Sequence, residues 1–399
     1  VSATALPRTV TITRWAPVAA VVGAGVVSAL QVGKAAIATP LLQADLRLDL
    51  GAVGWVTAIF AILGVFGGIP AGAMARALGD RRVLVAGLAA VAIGSAAGAL
   101  SPSFAMLLAS RIVEGLGFLL IAVSGPAILQ RVVAEAHRTI AFALWSCFMP
   151  AGMAIAMLAG PALGDWRVIW WICAALAVAA IAAVFTCIGR AAATAPIPTQ
   201  RLWADATAVV TGRGPLLLAG CFALYSLMFF ALFSFLPVLL MERMQATHGT
   251  AGLLSAAATA VNVVGNLGAG WLLARGASRS ALIIGATVVM GLCGIGIFLP
   301  LLPAVPAFLL CLVFSGIGGM IPATLISSAP IAAPAALTPV VIGLIMQGSN
   351  LGQVVGPAAV GGAIAAFGWP AAAVAVFAAA LLAAGAARAL RPILAPQQQ

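Results

Sequence analysis

The chain has 399 residues, 64% of them hydrophobic and only 7% charged, against about 25% charged in an ordinary soluble domain. Its 19 Lys and Arg and 8 Asp and Glu cannot clothe a soluble surface, which excludes a soluble enzyme, a secreted disulfide scaffold and a disordered chain. The formal net charge of +11 would suggest nucleic acid in a soluble protein, so its placement along the chain decides its meaning.

Continuous apolar runs, broken by charged or Pro/Gly-rich punctuation, predict twelve spans at residues 16–40, 52–75, 83–100, 103–129, 139–163, 168–188, 215–240, 251–274, 281–300, 304–328, 339–363 and 370–388. A membrane helix needs roughly 20 such residues. The runs show no alternation at period two, which argues against a β-barrel, and helices are then the structures that satisfy the backbone in lipid. The first run follows Arg8 and Arg14, is too long for a signal-peptide core and is read as a retained helix. The expected fold class is an all-α membrane protein, with 12 transmembrane helices in two six-helix pseudo-symmetric halves.

Taking odd-numbered helices as outward-going puts 14 basic residues, from Arg8 and Arg14 to Arg388 and Arg391, on the inner side. Arg47, Arg167 and Arg243 fall on the outer side, and Lys34 and Arg111 within helices. This satisfies the positive-inside rule with both termini cytoplasmic. The positive charge is a topology signal, and nucleic acid is not an expected partner. A multi-pass protein of a bacterial inner membrane is the expected setting.

The longest cytoplasmic connection divides the chain into residues 1–190, a linker 191–213 and residues 214–399. The halves echo each other. Gly160-Pro161 with Gly164-Asp165-Trp166 matches Gly356-Pro357 with Gly368-Trp369, and Glu114-Gly115-Leu116-Gly117 matches Ser315-Gly316-Ile317-Gly318. Repeated halves are a transporter signature, with the substrate held between them near the midplane.

The run Gly72-Ala73-Met74-Ala75-Arg76-Ala77-Leu78-Gly79-Asp80-Arg81-Arg82 resembles the loop between helices 2 and 3 of the major facilitator superfamily (MFS). Arg111-Ile112-Val113-Glu114-Gly115-Leu116-Gly117 resembles that family's helix 4 motif, with Glu114 in a place often taken by Gln. Gly152 and Gly160-Pro161-Ala162-Leu163-Gly164 resemble its helix 5 motif. A looser similarity around Lys34 is to cyanate/nitroimidazole-type permeases. The resemblance implies twelve helices and alternating access, with helices 1, 4, 7 and 10 lining the path. Arg76 and Asp80 stand where the family usually has Asp and Arg, so its ion-pair gate does not carry over directly. Arg76, Asp80 and Arg81 remain candidate gating residues.

Three costly ionisable residues lie within spans: Lys34, Arg111 and Glu114. Such charges usually face a cavity or a partner. Arg111 and Glu114 are i,i+3 neighbours and can pair, which leaves Lys34 unmatched. Their depths match to about 3 Å at 1.5 Å rise per residue. Two cations and one acid at one level suit an anionic substrate such as a carboxylate, held by Lys34 and Arg111. Glu114, with Arg111, is the candidate for proton coupling. The plain alternatives are a Lys34 that snorkels to the interface and an Arg111–Glu114 pair that only braces helix 4.

Neutral candidates for the path in the second half are Tyr225, the pair Asn262 and Asn266, and the pair Gln347 and Asn350. Interhelical amide bonds with no substrate role are the competing reading. Gly160, Pro161, Gly356 and Pro357 are expected to kink helices 5 and 11 and let the halves rock. Trp15, Trp55, Trp166, Trp170, Trp171 and Trp369 are expected as interfacial anchors. The six cysteines fall inside spans without a CxxC spacing, so neither a disulfide framework nor a metal centre is expected. No Walker A sequence or protease spacing is present, so no cofactor and no enzyme activity are expected. The resulting expectation is a monomeric secondary transporter for a small organic anion, moved into the cell with protons. The alternatives are a drug or metabolite exporter, or a non-transporting receptor or scaffold of the same fold.

Overall fold

Apolar sequence in lipid has one stable local solution, the α-helix, because each backbone polar group must find its partner within the segment. The computed structural model describes residues 12–137, 141, 144–189, 206–334 and 337–394. Among these are twelve helices long and apolar enough to cross a membrane. The first six are α1 (Trp15–Ile37), α2 (Leu50–Leu78), α3 (Asp80–Ala99), α4 (Phe104–Val132), α5 (Leu144–Leu163) and α6 (Trp166–Cys187). The second six are α7 (Arg213–Phe233), α8 (His248–Ala274), α9 (Arg279–Phe298), α10 (Ala304–Ala332), α11 (Thr338–Phe367) and α12 (Trp369–Leu394). Most of the linker 191–213 lies outside the described residues.

The expected spans are present, with two local differences. The runs 16–40 and 215–240 each hold a helix that ends early. Short helices Thr39–Leu46 and Leu236–Met244 follow α1 and α7, each with proline in its first turn. Kinks are expected at Gly160-Pro161 and Gly356-Pro357, and α5 and α11 run on as continuous helix through Pro161 and Pro357. Interruptions fall at Cys147 in α5, Val261 in α8 and Gly319 in α10.

The internal repeat extends to backbone detail. Arg47 and Gln245 end the two short helices in the left-handed region, at φ 52° and 51°. Two residues on, Asp49 and Thr247 cap α2 and α8 by accepting from the backbone N–H of Ala52 and Thr250. Gly79 and Gly276 supply φ 88° and 85° at the ends of α2 and α8, a backbone conformation that costs glycine no steric clash. Trp166 Nε1 donates to Asp45 Oδ2 at 3.0 Å, and Trp369 Nε1 donates to Glu242 Oε2 at 2.8 Å. The same four devices, about 200 residues apart, are what two copies of one six-helix unit would leave.

Small residues set the helix spacing. A Cβ on Gly115 would overlap the carbonyl of Phe60, and one on Gly265 that of Gly316, so α4 meets α2, and α8 meets α10, backbone to backbone. Between the two sets of six, Gly54 and Gly64 of α2 abut Pro357 and Asn350 of α11, and Gly252 of α8 abuts Met157 of α5. The largest apolar cluster spans both sets and is rich in aromatics: Phe60 and Phe118 from the first, Phe222, Tyr225, Phe229 and Phe233 from the second.

Candidate functional site

The three ionisable residues of the spans meet in one place. Lys34 on α1 and Arg111 and Glu114 on α4 are each 0% exposed. Lys34 Nζ lies 2.6 Å from Glu114 Oε1, and Arg111 Nη1 donates to Glu114 Oε2. Lys34 is therefore not the unmatched cation expected from spacing, and it does not snorkel. One carboxylate serves both cations because it has two oxygens, and each cation takes one.

The surroundings explain how charge survives there. Ser95 on α3 accepts from Lys34 Nζ at 3.0 Å, lies 2.7 Å from Glu114 Oε1 and 3.0 Å from Gln31 Oε1. Gln31 is anchored in turn to the Val27 carbonyl. The Lys34 ammonium sits 4.3 Å from the centre of the Trp170 ring on α6, and the Arg111 guanidinium 4.5 Å from that of Phe60 on α2. Both are cation–π contacts in a desolvated setting, where they are strongest. Arg111 Nε also donates to the Val56 carbonyl at 2.9 Å. Five helices thus enclose two cations and one anion, a surplus of one positive charge. Arg111 Nη2 and Trp170 Nε1 have no hydrogen-bond partner among the described residues.

Ser95, Gln31 and Trp170 were not among the expected site residues. Trp170 was expected to be an interfacial anchor, but it is 0% exposed, and Trp166 is buried beside it in a T-shaped pair. Trp15, Trp55 and Trp171 are close to half exposed. What separates Trp170 from its neighbour Trp171 is the helix face that turns it toward Lys34.

In the second six helices the neutral candidates divide into two groups. Tyr225 on α7, Asn262 and Asn266 on α8, and the Ser315 carbonyl on α10 form one node. Asn262 Nδ2 lies 3.3 Å from Tyr225 Oη and 3.0 Å from the Ser315 carbonyl, and Asn266 Nδ2 reaches Asn262 Oδ1 at 3.0 Å. Asn262 stands at the break in α8, next to Val261. Gln347 and Asn350 lie elsewhere, on the face of α11 pressed against Gly68 and Gly64 of α2. The Tyr225 ring lies tilted between those of Phe222 and Phe229, with centroids 5.9 Å away on each side.

At the end of the bundle where α1 begins, Arg131 makes a two-pronged bond to Asp80, at 2.9 and 3.0 Å. Arg81 donates to the Phe185 carbonyl at 3.2 Å. Both contacts lie within the first six helices. Arg76 belongs to α2, and its side chain lies outside the described residues. Gly160 packs on Ile37, and Gly356 on Leu227.

The profile of the Major Facilitator Superfamily matches residues 21–357 and 218–399. The chain belongs to the Major Facilitator Superfamily. Its fold follows that of a solved superfamily structure, the bacterial homologue of the human lysosomal transporter Spinster, in an inward-facing and unoccupied conformation. The TM-score is 0.78 at 16% identity, over 96% of this chain and 98% of that one. Among curated relatives, the tetracenomycin C resistance and export protein of Streptomyces glaucescens is 29% identical over 176 residues, 42% of this chain and 32% of that protein. The 3-(3-hydroxy-phenyl)propionate transporter of Escherichia coli is 26% identical over 236 residues, 57% of each chain. The matched stretches are thus less than two thirds of either relative's length.

Proposed function

We propose that this superfamily member is a secondary active transporter that carries a small organic anion, an aromatic carboxylate in particular, by alternating access coupled to protons. The observation that carries the reading is the convergence of Lys34 and Arg111 on Glu114 inside the spans. A buried charge is tolerated when it is paired. If Glu114 takes up a proton, both cations lose their counter-charge, and a substrate carboxylate can replace it. The cluster's net charge is plus one before the exchange and plus one after it, so one proton and one anion travel together. Phe60 and Phe118, with ring centroids 5.3 Å apart, link this cluster to the aromatic zone around Tyr225. The aromatic side chains of that zone would suit an aryl group whose carboxylate replaces the Glu114 charge. Similarity to a hydroxyphenylpropionate transporter agrees with this chemistry.

Export of an apolar drug or metabolite is the second reading. It is favoured by the similarity to a tetracenomycin C exporter and by the apolar character of the zone between the halves. Proteoliposomes with an imposed pH gradient distinguish the two. The main reading expects phenylpropionate accumulation driven by an inward proton gradient and abolished in Lys34→Ala. Unchanged anion transport in that variant, or flux of neutral aromatics alone, sinks it. A protein that binds but never moves substrate would be a receptor.

A further inference from the structure

The two halves end differently on the side where α1 begins and α12 finishes, the side read as cytoplasmic from the distribution of basic residues. In the first half, Asp80 neutralises Arg131 and the Arg81 guanidinium lies 5.0 Å from the centre of the Phe185 ring, while Arg14, Arg81 and Arg82 have no carboxylate partner among the described residues. In the second half Ser278 caps α9, and the first turn of that helix carries no acid where Asp80 opens α3. Arg213, Arg275, Arg279, Arg388 and Arg391 lie at this end of the second half, and none has a carboxylate partner among the described residues. The described acid of that half, Glu242, sits at the opposite end. The guanidinium of Arg275, the residue after α8, sits over the Trp271 ring at 3.6 Å from its centre, and Trp271 is 54% exposed. Arg279 is half-buried, with its Nε shielded and unpartnered.

We infer that this rim is a binding surface for anionic phospholipid headgroups, with Arg275 and Arg279 supplying the phosphate contacts and Trp271 seated at the acyl boundary. Guanidinium forks match phosphate geometry, and indoles prefer the headgroup level. The chemistry requires a ligand that is an anion and an apolar chain at once, because the exposed Trp271 stacked under Arg275 offers both surfaces side by side. Soluble phosphate satisfies only one of them. The inference rests on the topology read from the charges and not on the transported substrate.

The test uses the full protein in nanodiscs of phosphatidylcholine containing an equal mole fraction of brominated phosphatidylglycerol or brominated phosphatidylcholine. The Trp271 emission, obtained by difference from Trp271→Phe, is expected to be quenched by the anionic lipid with about fivefold greater local enrichment, the effect of a single basic residue near a charged surface. The preference should fall at high salt and in Arg275→Gln/Arg279→Gln. In Arg275→Lys/Arg279→Lys it should partly persist, which controls for misfolding. Equal quenching by the two lipids overturns the inference. So does loss of the preference in the presence of inorganic phosphate at the same ionic strength, which would make the surface a site for soluble phosphate. Neither outcome bears on anion transport, so the two proposals fail separately.

Discussion

Trp369 donates its indole N–H to Glu242 at 2.8 Å, tying the first residue of α12 to the short helix that follows α7. Trp166 and Asp45 make the same tie in the first half, where Arg167 adds a second donor to the same Asp45 oxygen at 2.7 Å. Each tie fixes the angle at which the chain leaves one span and enters another. Both stay within one set of six helices.

The tie in the first half is expected to show in acid. The Trp166 indole and then the Arg167 guanidinium hold the Asp45 carboxyl below its ordinary range. A depressed folded pKa means that the stabilisation is present above the unfolded value, about 3.9, and is lost as pH falls through the folded one. The side chain is exposed, so the effect is local. Tryptophan emission followed from pH 5 downward should show a transition that disappears in Asp45→Asn. A transition that survives that substitution comes from another group.

Glu114→Gln should be the most damaging substitution in the charged cluster. It leaves an ammonium and a guanidinium enclosed without a counter-charge, a change that costs about 3–5 kcal/mol when a buried pair is broken. Lys34→Met removes the surplus cation and leaves Arg111 and Glu114 balanced, so it should cost distinctly less. Thermal unfolding of the two variants in one detergent gives the order. A Lys34→Met protein less stable than Glu114→Gln would contradict the pairing described.

Gly115→Ala should destabilise by about 1–3 kcal/mol, the range for overpacking, because the methyl group meets the Phe60 carbonyl and neither backbone can yield alone. Gly220→Ala is the control. Nothing lies within 4 Å of its Cβ position, so it should gain about 0.5–1 kcal/mol from the better helix former. Unfolding midpoints of opposite sign are the expected result.

Tyr225→Phe should change stability little, by about 0.6 kcal/mol, since Asn262 keeps its bond to the Ser315 carbonyl. Asn262→Leu should cost more, because it removes the contacts to α7 and α10 together. Comparable losses in the two variants would place the weight of this node on the tyrosine hydroxyl.

The twelve spans were legible because lipid imposes one requirement on every residue of a helix, and that requirement leaves a long signal. The three charged residues were legible for the same reason, since a charge is rare where it is costly. Their pairing was not. Spacing along α4 shows that Arg111 can reach Glu114, but it says nothing about which face of α1 turns toward α4. Ser95 and Gln31 carry no mark in the sequence, being ordinary small polar residues in spans. Trp170 was hidden by its position near a span end, where indoles are commonly interfacial. The helix interruptions carried no signal: Cys147, Val261 and Gly319 look unremarkable in sequence, whereas α5 and α11 run on through Pro161 and Pro357.

The placement of the ion pairs has a mechanical consequence. Lys34–Glu114, Arg111–Glu114, Arg131–Asp80 and Arg167–Asp45 all lie inside the first half. Among the described residues, contact between the halves is made by glycines against backbone, apolar side chains and the amides of Gln347 and Asn350, and by the Thr259 hydroxyl on the Met157 sulfur at 3.4 Å. A surface of that kind can slip without tearing charges apart. The energy of its successive positions is set by shape rather than by electrostatics, so ionic strength should leave the rate of slipping nearly unchanged. The charged cluster travels as cargo inside a rigid wall, and the motion that exposes it need never break it.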